Sequence, residues 1–296
     1  MTAPPHRSVA FHVGAHKTAT THLQRSLMEV KGRLAGRGVA VWLPAHLRRD
    51  NPSLAERFHL PHFRNLPPPR ASVADERETL FAGADRLVLS EENFIGTPGN
   101  RWGNLTRPLY KWAGPRLTAL AERIAPEGIE VFIALRNPAT FLNSLYCQVL
   151  MGGRVVPLSK FLDKNPVDEV DWVDVLTRIS AAPGVRSVTV WRYEDYRALF
   201  DDICHGLCGP AAPLVTPIAG RVHRGLSQGA VEMILAQGKT ADVDAARDAR
   251  PSGDDWPAFD AFDPEVHALS DRLYAAQCAL IAQMPKVRFL HPTTKA

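Results

Sequence analysis

Val9-Ala10-Phe11-His12-Val13-Gly14-Ala15-His16-Lys17-Thr18-Ala19-Thr20-Thr21-His22-Leu23-Gln24 reads as a short apolar strand that passes through a small-residue turn into a helix. Gly14 and Ala15 let the backbone turn sharply, and the helix that follows opens with N–H groups that have no internal partner. Those donors, with the positive end of the helix dipole, suit a phosphate. Lys17 adds a positive charge on a long stem, and Thr18, Thr20 and Thr21 supply hydroxyls. A merely solvated lysine is the plainer alternative, but a cation at a helix start opposes the dipole unless an anion is present. The stretch departs from the nucleoside-triphosphatase pattern G-x-x-x-x-G-K-[ST], because no glycine precedes Lys17. A nucleotide without a triphosphate is therefore favoured.

A second stretch, Val131-Phe132-Ile133-Ala134-Leu135-Arg136-Asn137-Pro138 followed by Ser144-Leu145-Tyr146, has the same logic. Pro138 suits the first turn of a helix, which places Arg136 at a strand-to-helix junction and Ser144 about two turns further on. A guanidinium fork grips phosphate oxygens and a serine hydroxyl can reach another. The alternative for Arg136 is a surface salt bridge beside the helix.

These two stretches carry a resemblance. Gly14 to Thr21 resembles the 5′-phosphosulfate loop of the sulfotransferases, written around K-[ST]-[GA]-[ST]-[ST], and the second stretch resembles that family's 3′-phosphate motif. Arg192-Tyr193-Glu194-Asp195-Tyr196, after the strand Ser187–Trp191, is also similar to the family pattern; Glu194 and Asp195 are otherwise expected as helix caps. The resemblance covers about residues 9–227 and implies a bacterial sulfotransferase with the P-loop nucleotide-kinase-like fold. It implies 3′-phosphoadenosine 5′-phosphosulfate (PAPS) as donor, 3′,5′-adenosine bisphosphate as product and no metal requirement. Gly14, Lys17, Thr18, Ala19, Thr20 and Thr21 would then hold the phosphosulfate, and Arg136 and Ser144 the 3′-phosphate. The late basic loop Arg221-Val222-His223-Arg224-Gly225 lacks the family's longer Arg-Lys-Gly-type signature, and Arg221 or Arg224 either completes the nucleotide site or is solvated.

Sulfuryl transfer also needs a base for the acceptor. Open α/β sheets place ligands at the carboxyl ends of their strands, and Leu87-Val88-Leu89-Ser90-Glu91-Glu92-Asn93-Phe94 ends a strand in two carboxylates. The family carries histidine there in some branches and glutamate in the glycan-modifying ones. Glu91 is the first candidate, Glu92 the second, and His16 a further base or oxyanion donor; the alternative is that both acids are caps or salt-bridge partners. Two other functions remain open. An ATP-dependent kinase would need a metal-binding aspartate, for which Asp195 is the candidate, and a catalytically silent nucleotide- or glycan-binding module would keep the loop for recognition.

Composition sets the bounds. A chain of 296 residues, 45% hydrophobic and 22% charged, fits one large soluble domain. Its net charge of +4 is modest and no Lys/Arg run with interleaved aromatics marks a nucleic-acid surface. Neither a signal peptide nor a membrane span is apparent, so the cytoplasm is expected. Cys147, Cys204, Cys208 and Cys278 are too sparse for a disulfide framework, and Cys204 and Cys208 read as buried thiols.

The alternation of elements predicts a three-layer α/β/α domain around a mostly parallel sheet. Strands are expected near 8–13, 39–43, 87–89, 131–135 and 187–191, and helices near 20–35, 72–84 and 116–125. The proline-rich stretch 44–70 reads as an irregular surface excursion, which with Arg101-Trp102-Gly103-Asn104 would shape the pocket of a hydroxylated small-molecule or glycan acceptor. The region 227–296 is expected to be helical, with Val266, Leu269, Leu273, Leu280 and Ile281 as a core stripe and 239–257 as a polar loop or loosely held helix.

Overall fold

The strands at 8–12, 86–90 and 129–135 are buried along nearly their whole length, as a sheet covered on both sides requires. The computed structural model describes residues 7–48, 50–220 and 225–293. In chain order the elements are β1 (Ser8–His12), α1 (Thr20–Glu29), α2 (Lys31–Ala35), β2 (Val39–Trp42), α3 (Pro44–Leu47), α4 (Leu54–Arg57), α5 (Val73–Phe81), β3 (Arg86–Ser90), α6 (Ala113–Ile124), β4 (Ile129–Leu135), α7 (Pro138–Met151), α8 (Leu158–Lys164), α9 (Trp172–Ser180), β5 (Val185–Arg192), α10 (Phe200–Cys208), α11 (Gln228–Gln237), α12 (Val243–Ala249), α13 (Pro264–Ile281) and β6 (Val287–Phe289).

The strands pair in the order β2-β3-β1-β4-β5-β6, every neighbouring pair parallel. Alternate side chains feed two separate cores. Val9, Phe11, Leu87, Leu89, Val131 and Ile133 pack with α5, α6, α7 and α9 on one face. Ala10, Val88, Phe132, Ala134 and Trp191 pack with α1, α2 and α10 on the other. The expected three-layer α/β/α architecture is thus present, with a sheet that is parallel throughout. Cys204 and Cys208 lie in the second core as free thiols, and burial pushes the Cys208 thiol up to about 12.

Three local expectations change. The helix foreseen over 20–35 is two helices, broken at Val30, whose φ of −113° leaves the helical region. The stretch 44–70 is a surface excursion only in its second half. Leu47, Leu54, Ala55, Phe58 and Leu60 are buried, and Ser53 and Glu56 form a capping box that starts α4.

The C-terminal core stripe holds in part: Ile281 is buried, Val266 packs against the core and Leu273 is half-buried. Leu269 and Leu280 are 39% and 58% exposed, whereas Ser270 and Tyr274, outside the expected stripe, are buried. The helix docks through polar groups as well as through the apolar side chains of Val266 and Ile281. The Ser270 hydroxyl donates to Asn137 Oδ1 and accepts the Ala139 N–H, the Tyr274 hydroxyl donates to Glu194, and Gln277 accepts from the Trp172 N–H and donates to the Val170 carbonyl. The stretch 239–257 carries the short helix α12.

Arg57 fixes the buried half of 44–60. Its Nη1 donates to Glu76 Oε2 at 2.6 Å, and both side chains are less than a tenth exposed. Arg57→Ala strands the Glu76 carboxylate, and equilibrium denaturation should show a loss of ~3–5 kcal/mol.

Candidate active site

A parallel sheet delivers the carboxyl ends of all its strands to one edge. Because β1 lies between β3 and β4, the segment after β1 is flanked by Ser90-Glu91-Glu92 on one side and Arg136 on the other. Backbone bonds continue the ladder past the strand ends: the Val13 N–H donates to the Phe132 carbonyl and the Glu91 N–H to the His12 carbonyl. The two stretches read from the sequence as phosphate-binding, and the two candidate bases, therefore meet at one place.

The loop after β1 is built from left-handed residues. Gly14 has φ +44°, and a Cβ there would lie 2.8 Å from Thr20 Oγ1. Lys17 and Ala19 adopt φ +66° and +62°, so the turn attributed to Gly14 and Ala15 depends equally on two residues that carry a Cβ. Ala19 is the N-cap of α1 and offers no side-chain cap, and the first turn of that helix holds no acid. Its N-terminus is bare.

The threonines divide their roles. The Thr18 hydroxyl donates to the Ala15 carbonyl within the loop, so it is not the anion donor expected of it. A hydroxyl has one proton to give, and here the tight turn takes it. Thr20 Oγ1 is buried with no hydrogen-bond partner. Thr21 follows in the first turn, half-buried. Among the described residues no carboxylate pairs with Lys17, and burial followed by the charge of Arg136 holds its ammonium below the ordinary lysine range.

Arg136 closes the other side. Its Nη1 donates to the Lys17 carbonyl at 2.8 Å, its Nε donates to Thr140 Oγ1 at 3.0 Å, and its guanidinium lies 4.6 Å from the centre of the Tyr193 ring. Ser144 is half-buried on α7, and its hydroxyl makes no hydrogen bond with the described residues. Cys147, one turn further along the same face, feels the charges of Lys17 and Arg136, although burial dominates and raises its thiol to about 11.

At the end of β3 both carboxylates hold Arg48. Its Nε donates to Glu91 Oε2 at 2.7 Å, and its Nη2 bonds Glu91 Oε1 and, at 2.9 Å, Glu92 Oε1. Gln24 Nε2 donates to Glu92 Oε2, and Glu91 also accepts the Asn93 N–H as cap of the short 3-10 turn Glu92–Ile95. The two acids diverge in proton affinity. Burial raises Glu91 despite Arg48, whereas for Glu92 the burial penalty is outweighed by Arg48 and Gln24 and its affinity falls. The salt-bridge role weighed for both acids is realised in the structure.

His16 is buried with both ring nitrogens engaged, Nδ1 with the Tyr110 hydroxyl at 3.1 Å and Nε2 with Asn93 Oδ1 at 3.0 Å. A ring with no free nitrogen is not available as base or oxyanion donor. His12 lies beneath the loop, stacked on Trp191, with Nδ1 2.8 Å from Ser90 Oγ; burial pushes it down to about 4. Glu194 accepts the Asn137 N–H and the Tyr274 hydroxyl, and Asp195 lies 3.6 Å from Arg192 Nε. Glu194 thus braces α7 and α13 where a helix cap was expected. Arg221 and Arg224 lie outside the described residues.

Arg48, Asn93, Tyr110 and Ser90 were not singled out in the sequence. Arg48 sits in an arginine-rich stretch without a motif, and Tyr110 reaches the loop across 94 positions. Only Ser90 and Asn93, beside the two acids, carried a positional hint.

Among the described residues no group of three or more His, Cys, Asp or Glu is arranged to hold a metal ion, and no helix is long and apolar enough to cross a membrane. No family model matches the chain, and no curated protein matches it. The crystal structure of a sulfotransferase from Alicyclobacillus acidocaldarius is similar over 95% of each chain, at 14% identity and a TM-score of 0.46.

The strained cap gives a direct test. Ala19→Gly removes the left-handed penalty and should stabilise the protein by about 1 kcal/mol, read as a higher denaturation midpoint.

Proposed function

We propose that this protein is a sulfotransferase that takes a sulfuryl group from PAPS and passes it to a hydroxyl or amine acceptor, a carbohydrate being the class favoured by its glutamate-bearing strand end. The observation that carries this reading is the bare start of α1, where the buried Thr20 hydroxyl lacks a partner and Lys17 has no described counter-charge. Unsatisfied donors around a helix N-terminus fit an anionic group.

The donor supplies an activated sulfuryl group on a nucleotide phosphate. The N–H groups opening α1, with Thr20 and Thr21, would hold the 5′-phosphate, and Arg136 with Ser144 the 3′-phosphate. Lys17 would neutralise charge developing on the departing phosphate oxygen. Glu91 is the better base of the two acids, because burial raises its affinity while Glu92 stays ionised beside Arg48 and Gln24. The acceptor proton passes to Glu91 as its oxygen or nitrogen bonds to sulfur, and the bisphosphate leaves.

Calorimetric titration with 3′,5′-adenosine bisphosphate tests the reading. Micromolar or tighter binding is expected, weakened at least tenfold in Lys17→Ala and in Arg136→Ala, each loss corresponding to ~1.4 kcal/mol or more. Binding of ATP with magnesium in place of the bisphosphate would establish a kinase instead. Bisphosphate binding without sulfuryl transfer to a broad acceptor panel would establish a binding module.

Turnover should also report the base. A carboxylate raised above its ordinary range must be ionised to act, so the rate falls as pH drops through that raised value. Arg48→Gln removes the favourable charge and should move this acid limb of kcat/KM to higher pH. An unmoved limb would exclude the pair from proton transfer.

A further inference from the structure

We infer that His16 is a positioning residue: held by Tyr110 and Asn93, it keeps Lys17 in its left-handed conformation and ties the loop to the carboxylate end of β3. The inference rests on the reading of this loop as the donor site and adds residues that neither the motif nor the resemblance names.

The hydrogen-bond pattern admits one arrangement that satisfies every group. The Tyr110 hydroxyl accepts the backbone N–H of His16 at 3.1 Å, so its own proton is directed to His16 Nδ1, also at 3.1 Å. Nδ1 is then the acceptor nitrogen, and the ring proton sits on Nε2, where it meets the amide oxygen of Asn93 at 3.0 Å. His16 thus donates its backbone N–H to a tyrosine hydroxyl outside the loop, accepts that hydroxyl's proton at its ring, and donates its ring N–H to the residue after Glu92. The Tyr110 ring, 1% exposed and stacked on His16 with centroids 5.9 Å apart, has no freedom to swing away.

The next residue is the strained one. Lys17 sits at φ +66°, a conformation that L side chains avoid, and it is gripped on both sides: His16 is fixed through Tyr110 and Asn93, while Arg136 Nη1 holds the Lys17 carbonyl. A strained residue persists only where its surroundings over-determine it. Asn93 also links this grip to Glu91, since its N–H donates to the Glu91 carboxylate while its side-chain oxygen holds His16. One residue thus bears on both the neighbour of Lys17 and the candidate base.

Releasing the grip lets the loop relax, and the apparent affinity for an anion falls by the fraction of molecules still competent. The test uses the full chain, with 3′,5′-adenosine bisphosphate as probe. Tyr110→Phe keeps the ring and removes the hydroxyl; Asn93→Ala breaks the other end. Each should weaken bisphosphate binding about tenfold, the scale of the strain released. In ¹⁵N-resolved spectra of the imidazoles, wild-type His16 should show the Nε2–H tautomer at pH 7, and Tyr110→Phe, which removes the hydrogen bond to Nδ1 and leaves Nε2–H on Asn93, should shift the Nδ1 resonance while the protein stays folded. Unchanged affinity in both variants, or a wild-type His16 that is charged or protonated only at Nδ1, would overturn the inference. A wild type that binds no bisphosphate would instead overturn the donor-site reading, and the imidazole spectra distinguish the two failures because they need no ligand.

Discussion

A single hydrogen bond, from Arg136 Nη1 to the Lys17 carbonyl, joins the two halves of the candidate site. It is possible only because β1 and β4 are neighbours and parallel, so that their carboxyl ends present loop and guanidinium at the same height. The same sheet order puts β3 on the far side of β1 and brings Glu91 and Glu92 alongside. Topology thus assembles residues more than a hundred positions apart, and the left-handed backbone of Lys17 and Ala19 turns the helix start toward them.

Around that bond the polar groups form one connected chain. His12 meets Ser90, Gln24 reaches both Ser90 and Glu92, Arg48 bridges Glu92 and Glu91, and Asn93 passes the connection to His16 and Tyr110. A buried network of this kind is rigid when all its members are satisfied. Outside it, the buried Thr20 hydroxyl and the Trp191 indole N–H have no partner among the described residues. The unmet Thr20 hydroxyl, beside a Lys17 that no described carboxylate pairs, is what distinguishes the start of α1.

Much of this was legible in the chain. Continuous apolar runs such as Val131–Leu135 announced parallel strands, and the glycine-to-threonine stretch announced a tight turn into a helix, because both depend on local periodicity and local backbone demands. What was not legible depended on distant partners. Nothing near Arg48 marks it as the counter-charge of Glu91 and Glu92, and nothing near Tyr110 marks it as the support of His16. Thr18 was misjudged because its hydroxyl serves the turn that the same sequence encodes. The leucines of the last helix were misjudged because spacing reports which residues share a face, not which face finds hydrogen-bond partners.

That last helix carries a consequence of its own. A helix seated on leucines can slide or roll by part of a turn at little cost, since dispersion contacts have no preferred direction. Here Ser270 and Asp271 both engage Asn137, Tyr274 engages Glu194, and Gln277 engages the backbone at Val170 and Trp172. Such a helix is indexed as a key is by its teeth: it seats in one rotation and one register. Asn137 is the residue after Arg136 and caps α7, so the angle at which the guanidinium meets the loop is set in part by a segment more than a hundred residues downstream.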